Sequence, residues 1–253
     1  YKDGDWMMKL DTVQQLIGLG NRDTTMIDET ELLVNLGEGT AHGSGGRTDW
    51  QRQGLPKDVF AILVRYDIDL NRTLYKADSA QLQFPEYFDN KILVGKFTDK
   101  VEPGGARSGG EYPQFISDDG FVEIKNVGEG IDLKGNFELR GNTVYAIGMS
   151  GRKAQVTLGV QDGSGTKKIK AEAERFSIKA GETIAGQGVK TIIYFGKDSL
   201  YHPSITLRVQ VAERIAQLFR SQSSADRSPF THSLNNMQIY AERMDIYLDR
   251  DSA

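Results

Sequence analysis

The chain has 253 residues and a net charge of −4, from 31 Lys+Arg against 35 Asp+Glu, so it carries no basic excess for nucleic acid. Hydrophobic residues make up 38%, enough for a packed core, and no apolar run is long enough to cross a bilayer as a helix. Cysteine is absent, which removes disulfides, thiolate metal sites and Cys nucleophiles together.

The chain opens at Tyr1 rather than Met, with no charged n-region and apolar h-region behind it, and so reads as a processed product or a piece of something longer. Residues 1–23 form an N-terminal segment. Within it Val13, Leu16 and Ile17 give Thr12–Leu19 a weak helical spacing, which Gly18 and Gly20 oppose.

Residues 24–220 read as one repetitive β domain. Val59–Leu70 alternates, with Phe60, Ile62, Val64, Tyr66, Ile68 and Leu70 on one side and Arg65, Asp67 and Asp69 on the other, the pattern of a half-buried strand. The same period recurs at Ile131, Leu133, Phe137 and Leu139, at Ala154, Val156, Leu158 and Val160, and at Ile205, Leu207, Val209 and Val211. Turn-forming clusters lie between: Gly37–Gly46, Pro103–Gly110, Asp118–Gly120, Asp162–Gly165 and Gly196–Ser199. Short strands separated by Gly and Asp turns, with 28 Gly and 6 Pro, predict an all-β protein. Residues 221–253 follow as a C-terminal linker and a strand or helix. Polar Ser221–Ser228 marks the boundary, and Met237–Leu248 fits either period, with strand the better fit.

An internal repeat runs through the β domain. Ala77 to Leu82 followed by Leu93-Val94-Gly95 matches Ala173 to Ile178 followed by Ile184-Ala185-Gly186. Val122-Glu123-Ile124 with Ile131 to Gly135, and Leu32-Leu33-Val34 with Thr40 to Gly43, are looser copies. One strand pair cannot bury its apolar face alone, whereas stacked copies bury a continuous core.

The repeat unit, with Gly43-Ser44-Gly45-Gly46-Arg47-Thr48-Asp49-Trp50, Tyr112-Pro113-Gln114-Phe115, Ile192 to Pro203 and Ser228-Pro229-Phe230, resembles the β-solenoid and open β-jelly-roll segments of large exported Gram-negative envelope proteins. That group includes the periplasmic bridge of lipopolysaccharide transport. The resemblance implies a β-solenoid or open jelly-roll stack, a location in the periplasm or cell envelope, and partners that are other protein subunits or further segments of the same large chain. It implies no catalytic residue and no cofactor. A lipid-carrying groove needs continuous apolar surface, whereas Ile169 to Arg175 alternates charges with alanines that suit a narrow, filled interior.

Motifs with chemical potential are incomplete. Gly37–Gly46 lacks the Gly-Lys-Ser/Thr of a phosphate loop and reads as strands crossing a tight bend. His42, His202 and His232 lie too far apart for a local zinc site. Asp198, Ser199 and His202 compose a Ser/His/Asp list without a nucleophile elbow and read as a surface turn. Asp67, Asp69 and Asn71 begin like a calcium loop, but Arg72 stands where the loop needs glycine, which leaves a solvated face. Trp6, Trp50, Tyr87, Tyr112, Tyr201 and Tyr247 lie near polar turns and would supply a sugar-binding surface if exposed.

The expectation is therefore a non-enzymatic structural segment with no catalytic, cofactor or metal residues. The alternatives are a carbohydrate-binding β-sandwich and a virion or tail structural protein.

Overall fold

In a computed structural model, which describes residues 6–19, 24–101, 111–162, 165–179, 181–220 and 228–248, nineteen β-strands belong to one antiparallel sheet. The all-β expectation holds. Two compact units divide the chain: Tyr1–Asp119 with Glu138–Thr143, and Gly120–Phe137 with Val144–Ala253. The expected boundary at Ser221–Ser228 lies outside the described residues except for Ser228, as do the turn at Pro103–Gly110 but for no residue, and the middle of Asp162–Gly165.

The first unit is a meander. Its strands are β1 (Met7–Leu19), β2 (Thr24–Asn35), β3 (Thr40–Ser44), β4 (Arg47–Asp49), β5 (Phe60–Asp69), β6 (Leu74–Gln83), β7 (Ile92–Lys100) and the start of β8 (Gln114–Ile124). Strand β1 pairs with β2, β5 with β6, β6 with β7 and β7 with β8, while β3 and β4 each pair with both β2 and β5 and together fill one position between them. Residues Thr12–Leu19, with their weak helical spacing, lie inside β1, because ten residues of β1 find ladder partners on β2 and a short amphipathic helix has nothing comparable.

In the second unit β9 (Ile131–Arg140) is followed by β10 (Thr143–Ile147), β11 (Ala154–Asp162), β12 (Gly165–Ala173), β13 (Arg175–Lys179), β14 (Thr183–Phe195), β15 (Asp198–Gln210), β16 (Ile215–Arg220), β17 (Phe230–His232), β18 (Gln238–Ile239) and β19 (Arg243–Tyr247). Here β12 and β13 share β14, β16 and β17 share β15, and β19 and β18 pair with β16 and β17. Met237–Leu248 is thus strand, in two short pieces.

The strands change phase in mid-course. In β5 the buried residues are Ala61, Leu63, Tyr66 and Ile68, with Val64 and Arg65 both outward. The same outward doublet interrupts β6 at Asp78-Ser79 and β14 at Gln187-Gly188, and Glu174-Arg175 separates buried Ala173 from buried Phe176. Ladder register shifts at each of the first three sites. An extra residue bends the strand and lets both halves present the same face to the core. This corrects the reading of Val59–Leu70. Ile62, Val64 and Leu70 are exposed and Ala61 and Leu63 buried, because strict alternation fails at the bulge. Asp118–Gly120 is likewise no turn; it lies within β8, with Gly120 at φ 75°.

Alternation without a slip was legible. Ile131, Leu133, Phe137 and Leu139 are buried, as are Ala154, Val156 and Leu158, and Ile205, Leu207 and Val209. Aromatic rings and alanines fill the interior of each unit, with Ala61 and Ala80 buried in the first and Ala154 and Ala173 in the second. Glycines make room for rings. Gly43 faces Tyr66 across the β3–β5 ladder, where a Cβ would come within 2.0 Å of the ring, and Gly186 faces Phe176 likewise at 2.7 Å.

Candidate functional site

Each motif of the sequence falls into a structural role. Thr40–Ser44 of the glycine-rich stretch is strand, and Gly39, Gly45 and Gly46 take positive φ at the bends on either side. The helical element that follows is the three-residue 3-10 turn Gln51–Gln53, too short to receive a phosphate. His42 sits on the outer face, with Nδ1 2.6 Å from Asp67. Asp69 closes the β5–β6 turn, where its Oδ1 accepts the N–H groups of Asn71 and Arg72 at 3.0 and 3.2 Å. Among the described residues no three His, Asp or Glu side chains cluster as a metal site.

The Ser/His/Asp list does not assemble. Asp198 accepts the Ser233 hydroxyl at 3.1 Å, and Ser233 in turn accepts the Ser199 N–H at 2.9 Å. His202 is buried and lies 4.6 Å from the Phe230 ring. Its Nδ1 accepts the Ser204 N–H at 3.1 Å, so Nε2 carries the proton and donates to the Ser228 carbonyl at 2.9 Å. Rather than a surface turn, the imidazole is a core pin. His232 accepts the Leu234 N–H at 3.0 Å.

The aromatic residues divide. Trp6 is 67% exposed, and Tyr201 and Tyr247 are partly exposed. Trp50 and Tyr87 are in the core, which removes them from any sugar-binding surface. Trp50 donates Nε1–H to the Pro113 carbonyl at 3.2 Å and meets Phe97 edge-on at 5.8 Å.

Sequence reading missed a buried ionic cluster in the first unit. Asp99 at the end of β7 is 1% exposed and accepts hydrogen bonds from Thr25 Oγ1, Arg52 Nη2 and, at 2.8 Å, the Lys100 N–H. Arg52 lies on the 3-10 turn Gln51–Gln53 and also donates to the Thr24 carbonyl at 3.1 Å. Burial, reinforced by the Asp99 charge, pushes the neighbouring Tyr75 hydroxyl up to about 12. The cluster clamps β2, the 3-10 turn and β7 together. Arg52 and Asp99 are too far apart in sequence for a spacing argument to join them.

On the second unit the outward faces of β9, β11, β12 and β14 carry a cross-strand row, Lys134, Gln155, Glu172 and Lys190. Lys134 lies 3.5 Å from Glu123 and Lys190 lies 3.9 Å from Glu172, so both lysines of the row have carboxylate partners. The shallow depression there, about 280 Å³, is lined by Asp132, Lys134, Gln155, Lys170 and Glu172, and among the described residues it gathers no three metal-ligating side chains.

The sheet also has open backbone edges. Among the described residues β1 pairs with β2 and no other strand, while β18 and β19 pair only with β17 and β16. Exposed apolar side chains gather at both edges. Trp6, Met7, Met8, Ile17 and Leu19 lie along β1, and Met237, Tyr240 and Tyr247 along the other edge. Exposed apolar edges of this kind are the features by which sheets recruit further strands. No helix among the described residues is long and apolar enough to cross a membrane. Comparison with known proteins finds no matching family model, no matching curated protein and no matching solved structure.

Proposed function

We propose that the chain is a non-enzymatic structural and interaction segment of a large cell-envelope protein, held in the periplasm as a β-stacked scaffold of jelly-roll type. Its partners are other protein subunits or further segments of the same large chain. One observation carries this reading: two open sheet edges lined with exposed apolar side chains, on a sheet whose inner side is filled with rings and alanines. Open edges join strand to strand through backbone hydrogen bonds, with alternate side chains setting the match. The filled interior supports a scaffold over a lipid conduit. Burial of Trp50 and Tyr87 weakens the carbohydrate-binding alternative.

An antibody raised against residues 24–220 tests the proposal on fractionated source cells. A band far above the 28.1 kDa of this chain, in the envelope fraction, is the expected result. A band of that size in a cytosolic fraction overturns the reading, and one in a particle fraction favours a virion component.

A further inference from the structure

The outer edge of β1 is long. At about 3.4 Å per residue its thirteen residues present roughly 44 Å of ladder-ready backbone. It contains no proline, and its one lysine, Lys9, is held 2.5 Å from Asp11. The bulge between Leu10 and Val13 is its single protection against pairing.

The register with β2 fixes which β1 side chains face inward. Met8, Leu10, Val13, Leu16 and Gly18 lie opposite buried Val34, Leu32, Thr30, Ile27 and Thr25. The steps between those five β1 positions are two, three, three and two residues, the same in either direction. A second β1 laid antiparallel with Val13 against Val13 therefore sets Leu10 against Leu16 and Met8 against Gly18 on the inner side. On the outer side Met7 meets Leu19, Lys9 meets Ile17 and Asp11 meets Gln15, so no like charges face each other. The bulge does not break this match, since Leu10 to Val13 in one strand runs beside Leu16 to Val13 in the other.

We propose that β1 is a self-complementary edge that pairs with β1 of a second copy of this chain about a two-fold axis through Val13. The inference rests on the reading that the chain assembles through its sheet edges, and it specifies which edges meet. The opposite edge is the poorer match. Its inward residues Ile239, Met244 and Ile246 face buried Phe230, Leu218 and Ala216 with steps of five and two. The occupant also explains the apolar residues of β1. Leu10, Val13 and Leu16 are only half-buried in one copy and become covered in two.

A chain without cysteine makes the test clean. Under mild oxidation the Val13→Cys protein forms a cross-linked dimer, because the axis brings the two Cβ atoms within disulfide reach. Lys9→Cys and Ile17→Cys proteins stay single alone and cross-link when mixed. Both of those positions are exposed, so this pair reads the contact even if Val13→Cys disturbs folding, which far-UV circular dichroism monitors. Sedimentation of the unaltered chain should show a dimer that grows no further. If the chain assembles but Lys9→Cys joins Asp245→Cys, on the outer side of β19, instead of Ile17→Cys, the two-fold edge is wrong and edge assembly stands. If the chain stays monomeric up to concentrations of about 100 µM and no pair cross-links, both fail.

Discussion

Replacing Trp50 by alanine separates a core residue from a sugar-binding one. A buried tryptophan removes roughly 150–250 Å² from water, worth about 4–6 kcal/mol at 25 cal/mol/Å² before the retained methyl is subtracted. Measured truncations of large aromatic residues cost about 3–5 kcal/mol, and the edge-on pair with Phe97 adds about 1 kcal/mol. The lost hydrogen bond matters less, because the Pro113 carbonyl that accepts Trp50 Nε1–H also accepts the Gly141 N–H at 2.9 Å. The expected loss is therefore about 4–5 kcal/mol, a large share of the 5–15 kcal/mol typical of a domain. Trp50→Phe keeps a ring against Phe97 and should lose about 1–2 kcal/mol. Guanidinium titration followed by far-UV circular dichroism reads both. The chain has two tryptophans, so in a Trp6→Phe background acrylamide should barely quench the emission of Trp50. A Trp50→Ala loss below about 1 kcal/mol, or ready quenching, would refute the argument from burial.

Other consequences follow from the first unit. Arg52→Met leaves the Asp99 carboxylate buried without its guanidinium and should cost about 3–5 kcal/mol, whereas Arg52→Met with Asp99→Asn should recover part of that in a double-mutant cycle. Tyr75 and Tyr87 are both raised to about 12 by burial, so the folded state holds their protons where the unfolded chain has begun to lose them. Stability from these hydroxyls is full below pH 10 and falls as pH rises toward 12, by about 2–3 kcal/mol per tyrosine. Equilibrium unfolding across that window checks the sign, and a stability that held flat to pH 12 would contradict it. Gly43→Ala places a methyl on the Tyr66 ring and should cost about 1–3 kcal/mol, partly recovered with Tyr66→Leu; additive losses in thermal unfolding would show that the two do not share space.

Much of the fold was legible because period-2 alternation reports directly which side of a strand is buried, as at Ile131 to Leu139 and Ile205 to Val209. The reading failed where one extra residue changes phase. In Val59–Leu70 both sides of the alternation are apolar over Phe60 to Val64, and nothing in the residue types says where the slip falls. Burial of Trp50 was hidden for a related reason. It follows a polar turn in sequence, but the 3-10 turn Gln51–Gln53 directs Trp50 and Gln53 inward, where Gln53 Nε2 donates to the Tyr112 carbonyl at 2.8 Å. The Asp99 cluster joins residues from three separate segments, and only the fold makes them neighbours. The open edges were foreseeable as a property of any stacked array, but the symmetry of β1 needed its register with β2.

The outward doublets in mid-strand make this chain unequally tolerant of insertion and deletion. Exchanging Asp78 or Ser79 for another polar residue leaves both halves of β6 as they are, since neither side chain enters the core. Deleting either one leaves Ala77 and Ala80 on the core side, but it removes the extra residue that bends β6 and slips one half of the strand by a residue along β5, whose own doublet Val64-Arg65 then has no counterpart. A missing residue in the two-residue connection Gly196-Lys197 shifts only the closing turn of one hairpin. Length change in related sequences should therefore accumulate at hairpin ends and be purged at the creases, the reverse of where substitutions concentrate.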